Sequence, residues 1–290
     1  MRRENVAKVS MTLAMITFGT LAPFVRNVGT SSAELALYRG VMATILVGGF
    51  LLITKQRFVL LGIKKELLLL LLSGAAMGFN WILLFEAYKH TTVAVATLSY
   101  YFAPVIVMML SPLLFKEKLT PKQIFCFVMV SVGMVLITGT ADGGTGDFIG
   151  IIFGISAAVL YATVMLLNKF IRDVTGLVRT FIQFVSAIIV LLPYVALTSG
   201  FNFSALDGTG LRSLIIVGVL HTGIAYCLYF SSLKELTGQK VAILSYIDPL
   251  VAVLVSVAWL NEAMPPLQIV GGIMILGFTL LSELNFKASA

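Results

Sequence analysis

Long apolar stretches alternate with short polar or charged segments along the whole chain. A helix that crosses the hydrocarbon core of a bilayer needs about 20 mostly apolar residues, and ten stretches of this kind can be traced. Helices are the expected element, because lipid cannot satisfy the hydrogen bonds of an open backbone. The pattern therefore predicts an all-α integral membrane protein with ten transmembrane helices. The stretches lie near Val6–Val25, Ala33–Thr54, Leu67–Tyr88, Thr92–Phe115, Pro121–Thr138, Phe148–Leu167, Thr175–Thr198, Leu211–Leu233, Val241–Leu260 and Pro265–Ser282.

Composition supports a membrane protein and argues against two other classes. Only 11% of the 290 residues are charged and 59% are apolar, whereas a soluble domain has roughly 25% charged residues. The formal net charge is +7, but no long basic block occurs, so we expect no nucleic-acid partner. Cys126 and Cys227 both lie within apolar stretches. We interpret them as small buried apolar residues and expect no disulfide, metal or other cofactor.

Lysine and arginine are distributed unevenly between alternate loops. If both termini lie on one side, that side holds sixteen basic residues and the opposite side holds four. Cytoplasmic loops carry the excess of these residues. Both termini are therefore predicted to be cytoplasmic, which requires an even number of spans. The four residues on the opposite side are Arg26, Arg39, Lys89 and Arg212.

Local signals mark the starts of the fifth and the tenth spans. Pro121 and Pro266 fit the first helical position, which favours proline, and Thr120 supplies an N-cap before the fifth span. Glu117 and Glu262 precede these starts. They could serve function, but we interpret them as charges that stabilise the positive end of the following helix.

The chain contains an internal repeat. A shift of 145 residues aligns residues 78–124 with residues 223–269 without a gap, and 12 of these 47 positions are identical. Because each half holds five spans, an odd number, the second half enters the membrane upside down, which is typical of secondary carriers. We predict two inverted five-helix repeats, residues 1–138 and 148–290, with a connector over residues 139–147. The matches include Gly78/Gly223, Lys89/Lys234, Thr92/Thr237, Tyr101/Tyr246, Pro104/Pro249, Glu117/Glu262, Pro121/Pro266 and Gln123/Gln268.

Each half carries a helix-breaking proline, then a glutamate before the next span, then glutamine and glycine. This order resembles the drug/metabolite transporter superfamily, in its EamA-type ten-helix branch, and the resemblance covers nearly the whole chain. It implies a central cavity built by spans one to four and six to nine, with spans five and ten at the periphery. The family carries chemically diverse small metabolites. The residues concerned are Pro104, Glu117, Gln123 and Gly133 in the first half, Pro249, Glu262, Gln268, Gly271, Gly272 and Gly277 in the second, and Arg39 in the second span.

Pro104 and Pro249 lie within matched spans. A proline leaves the carbonyl four residues earlier without its helical hydrogen bond. Each proline either produces a static kink or acts as a hinge whose freed carbonyls face a cavity. Their matched placement leads us to retain both as hinge candidates.

Aromatic and polar side chains of the spans suggest a substrate pocket. Asn80 either lines the pocket or serves only to hydrogen-bond a neighbouring helix. Trp81 either lines the pocket or faces lipid, although it lies too deep for a tryptophan of the membrane interface. Tyrosines near the prolines either pack or form aromatic walls suited to amino acids or cations. Arg39 either reaches the headgroups or binds a substrate carboxylate or phosphate. The predicted substrate-binding residues are Arg39, Asn80, Trp81, Tyr100, Tyr101, Tyr226 and Tyr246.

Three ionisable residues are candidates for coupling transport to a proton or cation. An intramembrane carboxylate is costly and is by default a functional site, and Asp248 is the deepest acid of the predicted spans. Glu86 is either such a site or the partner of Lys89 and His90 in an ion pair at the rim. His221 is either a packing residue or part of a polar path.

The leading hypothesis is a secondary transporter of the bacterial plasma (inner) membrane. It would export or exchange an amino acid or related metabolite by alternating access around a midplane cavity. The alternative is an importer of an organic cation or a phosphorylated sugar. An intramembrane enzyme is remoter, because the chain lacks the His-Glu-x-x-His and Gly-x-Ser-x-Gly motifs. Expected partners are a small-molecule substrate and the lipid bilayer, with a coupling ion and a homodimer left open.

The predicted topology can be tested with single cysteines. We expect cysteines at Thr145 and Asn202, in a chain whose Cys126 and Cys227 are replaced by serine, to react with an impermeant thiol reagent on intact cells. Both positions fall in loops on the side with few basic residues. Labelling only in inverted membrane vesicles would contradict this topology.

Overall fold

Helices form every regular element of the chain within residues 2–55, 64–116, 118–139, 145–174, 176–233 and 235–283, which the computed structural model describes. No strand occurs in these ranges, so the all-α prediction is confirmed for this part of the chain. Glu117 and residues 140–144 of the predicted connector lie outside the described residues.

Fourteen α-helices, one 3-10 turn and two π-helical segments make up the described chain. Several predicted spans are divided. The first is broken at Thr20, the fourth and ninth are broken beside tyrosines, and the eighth contains a π-helical segment. The α-helices are α1 (Arg2–Gly19), α2 (Leu21–Asn27), α3 (Ser32–Ile53), α4 (Lys64–His90), α5 (Val93–Tyr100), α6 (Ala103–Phe115), α7 (Pro121–Gly139), α8 (Thr145–Phe170), α9 (Gly176–Leu197), α10 (Gly208–Ile215), α11 (Ala225–Leu233), α12 (Gly238–Ser245), α13 (Ile247–Leu254) and α14 (Pro266–Glu283). The 3-10 turn is Phe203–Ala205, and the π-helical segments are Ile216–Ile224 and Val255–Trp259.

Eight helical stretches of the described chain are long and apolar enough to cross a membrane. Two shorter apolar helices, Ile243–Trp259 and Pro266–Ser282, coincide with the predicted ninth and tenth spans. The structure therefore fits an integral membrane protein, while the count of ten crossings stays a prediction. The eight stretches are Arg3–Asn27, Ser32–Ile53, Glu66–His90, Val93–Phe115, Pro121–Thr138, Asp147–Phe170, Gly176–Leu197 and Gly208–Leu233.

Helix boundaries recur at the spacing of the sequence repeat. α5 and α12 begin at Val93 and Gly238, 145 residues apart, and each has eight residues. Lys116 and Asn261, separated by the same interval, both have a left-handed backbone, with φ angles of 55° and 54°. Such a φ is uncommon for residues other than glycine. The two halves therefore share an unusual local conformation at corresponding positions.

Helix contacts also come in corresponding pairs. In the third span, α4 packs against α8 and α9. In the corresponding eighth span, α11 packs against α1, and the π-helical segment Ile216–Ile224 packs against α3. α3 packs against α9, and α7 against α14, so these two pairs join equivalent helices. The largest buried cluster lies between the halves and includes Trp81, Phe85 and Phe184.

Glycine permits the close contact between α7 and α14. A Cβ added at Gly271 would lie 2.6 Å from the carbonyl oxygen of Gly133, and one at Gly133 would lie 2.8 Å from the carbonyl oxygen of Gly271. Small residues let helix backbones approach closely in membranes. Other side chains of this pair, such as Val135 and Ile273, are 68% and 67% exposed. Such apolar exposure suits contact with lipid at the periphery.

We expect Gly271→Ala to lower the thermal unfolding temperature of the purified protein, because the new methyl group would push α14 away from α7. Gly277→Ala is the matched control on the same helix, since a Cβ at Gly277 has no atom within 4 Å. The control should leave the unfolding temperature unchanged or raise it slightly, because alanine favours helix over glycine. Equal unfolding temperatures for the two variants would contradict this packing.

Candidate functional site

The two broken helices meet inside the bundle. α5 and α6 are separated at Tyr101 and Phe102, and α12 and α13 are separated at Tyr246. The Tyr101 hydroxyl donates a hydrogen bond to Asp248 Oδ2 at 2.9 Å. The ring centroids of Tyr101 and Tyr246 lie 6.4 Å apart. The structure thus brings together three predicted site residues that come from opposite halves of the chain.

Pro104 and Pro249 lie in the first turns of α6 and α13. In each span the regular helix is interrupted just before the proline. Proline fits the first turn because the N–H that it lacks would have no helical partner there. The role of the two prolines as hinges stays a prediction.

Arg39 points into the bundle, where its side chain lies over aromatic rings. Arg39 is 4% exposed and Trp81 is 5% exposed. The guanidinium carbon lies 4.5 Å from the ring centroid of Trp81 and 5.2 Å from that of Phe85. Trp81 in turn lies 5.5 Å from Phe184. Arg39 therefore does not reach the headgroups, and Trp81 does not face lipid.

The remaining predicted pocket residues lie close to this aromatic group. The Asn80 side-chain amide donates to the carbonyl oxygen of Ala157 at 2.6 Å, which links α4 to α8. The ring of Tyr226 lies 5.2 Å from that of Phe184, at an angle of 72°. Tyr100 neighbours the Asn80 side chain. Asn80 therefore forms the interhelical hydrogen bond that was one of its two interpretations.

Tyrosines lie near both Arg39 and Asp248. Tyr88, Tyr100 and Tyr226 are within electrostatic range of Arg39, and Tyr88 and Tyr226 are also within range of Asp248. Tyr100, Tyr226 and Asp248 keep partly accessible surface, whereas Arg39 is buried. Tyr88 and Tyr226 therefore lie near both the basic and the acidic side chain.

His221 lies in the π-helical segment Ile216–Ile224 and is buried. Its Nε2 is 3.2 Å from Thr20 Oγ1, and its Nδ1 is 3.2 Å from the Ile216 carbonyl oxygen. Its ring lies 5.1 Å from that of Phe24. The histidine thus joins the π-helical segment to the break between α1 and α2. π-Helical turns are frequent at functional sites.

Glu86 lies apart from the other candidates. Its carboxylate is 3.5 Å from Lys89 Nζ and 3.6 Å from His90 Nε2, and its side chain is 28% exposed. The spacing along α4 therefore produces the ion-pair geometry of the rim interpretation. Its role in coupling stays a prediction.

Sequence reasoning missed several residues that the structure places at the site. Thr20, Tyr88 and Phe184 contact or face predicted site residues, yet no motif or repeat match marked them. Phe85, which lies beside Arg39, is one of the 12 identical positions of the repeat and matches Phe230. Thr20 and Phe184 lie outside the aligned segments, and Tyr88 corresponds to a different residue, Leu233.

A model described as the EamA-like transporter family matches residues 7–139 and, separately, residues 148–283. The chain belongs to the EamA-like transporter family. This confirms the resemblance inferred from the repeat residues. It also agrees with the apolar helices, because a family of transporters acts on small molecules across a lipid bilayer.

Relatives of this EamA-like chain are named transporters rather than enzymes. An uncharacterized transporter of Archaeoglobus fulgidus is 32% identical over 285 residues, which is 97% of each chain. The transporter YxxF of Bacillus subtilis (strain 168) is 29% identical, over 94% of this chain and 88% of its own length. A "probable terminal-alkyne amino-acid exporter" of Streptantibioticus cattleyicolor is 26% identical, over 94% and 92%. One solved crystal structure shares the fold, with a TM-score of 0.67 at 17% identity over 96% of this chain and 98% of its own.

One end of the EamA-like bundle is closed by a half-buried ion pair. Arg26 Nη1 lies 2.5 Å from Glu262 Oε1, with side chains 28% and 13% exposed. The arginine also donates to the carbonyl oxygens of Tyr88 and Thr91, both at 2.7 Å. Glu262 Oε2 accepts from the backbone N–H of Val93 at 2.9 Å. Glu262 therefore stabilises the start of α5, and its predicted role at the start of α14 is wrong.

The opposite end contains a cleft. A cavity of about 510 Å³ lies between α1 and α11, lined by residues that include Arg3, Ser10, Ser231 and Glu235. None of the predicted site residues lines it. The charge distribution predicts that this end is cytoplasmic and that the closed end faces outward.

We expect Glu262→Gln to open the closed end. The change leaves the half-buried Arg26 without its counter-charge, and a loss of about 1.4 kcal/mol is enough to change accessibility by about tenfold. The measurement is the rate at which a cysteine at Ala94, 1% exposed behind the pair, reacts with an impermeant thiol reagent. The reaction uses proteoliposomes and a chain otherwise free of cysteine.

Glu34→Gln is the matched control for this experiment. Glu34 is a buried carboxylate whose partners are Ser31, Tyr38 and Asn202, so its loss leaves the contacts of Glu262 intact. The reaction rate should stay low in the control. An unreactive cysteine in Glu262→Gln, or equal rates in both variants, would show that the ion pair does not close this end.

Proposed function

We propose that this protein is a secondary active transporter that exports or exchanges an amino acid or a related small metabolite by alternating access. The meeting of two broken helices at the hydrogen bond between Tyr101 and Asp248 carries this proposal. Discontinuous helices from two repeats form substrate and ion sites in many carriers. The name of the Streptantibioticus cattleyicolor relative, a probable terminal-alkyne amino-acid exporter, supports both the amino-acid class and the direction.

The proposed architecture is ten spans in two inverted repeats, residues 1–138 and 148–290, joined by residues 139–147. The matched helix boundaries and paired contacts support it. An odd number of spans in each half turns the second half upside down. With both termini in the cytoplasm of a bacterial cell, the end closed by Arg26 and Glu262 faces outward and the cleft faces the cytoplasm.

The proposed substrate site lies between the halves. The aromatic rings of Trp81, Tyr100 and Tyr226 provide apolar walls. The other proposed binding residues are Asn80, Tyr101 and Tyr246. Arg39 and Asp248 provide opposite charges at its two sides. A pocket of this kind binds a small molecule through its apolar surface and orients it with a few polar groups.

Asp248, His221 and Glu86 are the proposed coupling residues. Moving one elementary charge across 100 mV is worth about 2.3 kcal/mol, so a single titrating group can couple transport to the membrane potential. Asp248 is best placed for this, because it lies at the junction of the halves. Movement of one half against the other, with the helix breaks before Pro104 and Pro249 as hinges, would expose the site to each side in turn.

We expect Trp81→Ala and Asp248→Asn to reduce transport by reconstituted protein by at least about tenfold, since each removes a wall or a charge of the site. Glu86→Gln should have the smallest effect, because Glu86 already pairs with Lys89 and His90. The measurement is proton-dependent flux of radiolabelled amino acids, supplied as a mixture and then singly, in proteoliposomes.

Trp259→Ala is the matched control, since Trp259 is the second of two tryptophans and is 55% exposed. It should transport at the wild-type rate. If Trp81→Ala, Asp248→Asn and Glu86→Gln all keep the wild-type rate and pH dependence, the proposed site is wrong.

A further inference from the structure

Arg39 is a buried charge without a protein counter-charge. The residue is 4% exposed, and its Nε is enclosed without a hydrogen-bond acceptor. Among the described residues it makes no hydrogen bond and no ion pair, and its contacts are with the rings of Trp81 and Phe85. It lies in the second turn of α3, which begins at Ser32.

The nearby acids of the described chain are already engaged. Glu34, on the same helix, accepts hydrogen bonds from Ser31, Tyr38 and Asn202. Asp248 accepts from Tyr101, and the ionisable groups near Arg39 in the described chain are three tyrosines and His221, none of which is an acid that pairs with it. Ring contacts compensate a cation only in part. An isolated charge in a low-dielectric interior is strongly unfavourable, so its retention calls for a bound anion.

We propose that Arg39 binds the carboxylate of a zwitterionic substrate whose ammonium group lies at Asp248. A guanidinium presents two parallel donors that match the two oxygens of a carboxylate. One cation balances a single negative charge, which favours a carboxylate over a doubly charged phosphate.

Asp248 supplies the second half of this recognition. Ring contacts lead from Arg39 over Trp81 and Phe184 to Tyr226, and Tyr226 lies near both Arg39 and Asp248. A molecule with an amino and a carboxyl group would meet both charges, and its apolar side chain would lie against Trp81. The substrate class of the proposed transport site would then be amino acids. The binding itself does not require transport, and it rests on the proposed function only for its role in the cell.

Ligand binding to purified wild-type protein tests the proposal directly. The probes are the twenty proteinogenic amino acids, followed by the amide, the decarboxylated amine, the deaminated acid and a phosphate monoester that share the side chain of the best binder. We expect the amino acid to raise the unfolding temperature most and the deaminated acid to do so less. The amide, the amine and the phosphate should bind at least about tenfold more weakly. Equal binding of amide and acid, or no shift with any amino acid, would overturn the proposal.

Variants separate the two charges. Arg39→Met should lose the shifts with the amino acid and the deaminated acid. In Asp248→Asn, the shift in unfolding temperature with the amino acid should fall to that with the deaminated acid. The shift with the deaminated acid should stay the same as in the wild type. A shift in Arg39→Met equal to that of the wild type would overturn the assignment of Arg39.

Stability without ligand gives a second readout. Burying an unpaired charge is costly, so ligand-free Arg39→Met should unfold several degrees above the wild type. Arg212→Met is the control, because Arg212 is exposed and its removal should leave the unfolding temperature nearly unchanged. A lower unfolding temperature for Arg39→Met would instead assign Arg39 a structural role and overturn the proposal.

Failure of this inference and failure of the proposed function give different results. Binding of carboxylates through Arg39 without flux in proteoliposomes would contradict transport and leave the assignment intact. Flux of amines or sugars that is unaffected by Arg39→Met would contradict the assignment and leave transport intact.

Discussion

Lipid offers no hydrogen-bond partners, so each polar group inside this bundle depends on another protein group or on a ligand. Bonds between helices meet this constraint. Asn80 donates to the Ala157 carbonyl oxygen, and Tyr101 donates to Asp248. A sliding movement of either helix pair would leave a polar group unpaired in a medium of low dielectric constant. Arg39 is a buried charge that no bond of this kind compensates, which makes its surroundings the natural place for a polar ligand.

The same two broken helices are joined at two levels. Inside the bundle the bond is between Tyr101 and Asp248, and at the closed end Glu262 accepts from the N–H of Val93 while Ser256 accepts from the N–H of Ala94. Opening the closed end requires the outer contacts to break, but not the inner one. The inner bond therefore suits a pivot, whereas the outer contacts suit a lock.

The sequence predicted much of the fold because its signals were local or repeated. Helix starts at Pro121 and Pro266, and the bond partners Tyr101 and Asp248 beside a matched proline, were all visible in the pattern. The break at Thr20 and the π-helical segment around His221 were not predicted. Gly19 and Pro23 flank the first and Gly218 and Gly223 the second, but both form where α1, α2 and the eighth span pack together. The partner of Glu262 was also hidden, because Arg26 lies far away in the chain and only tertiary packing joins them.

The two halves differ where they contact each other through His221. α8 runs without a break over the positions that correspond to α1 and α2, and α4 runs without a π-helical segment where the eighth span has one. Two identical inverted halves would give inward-open and outward-open states of equal energy. A difference of a few kcal/mol is enough to populate one state almost completely. His221 contacts Thr20, and Arg26 contacts Glu262. These contacts favour the state in which the bundle is closed at one end. In the proposed architecture, the break at Thr20 and the π-helical segment around His221, which the other half lacks, therefore contribute to the energy that selects the resting state.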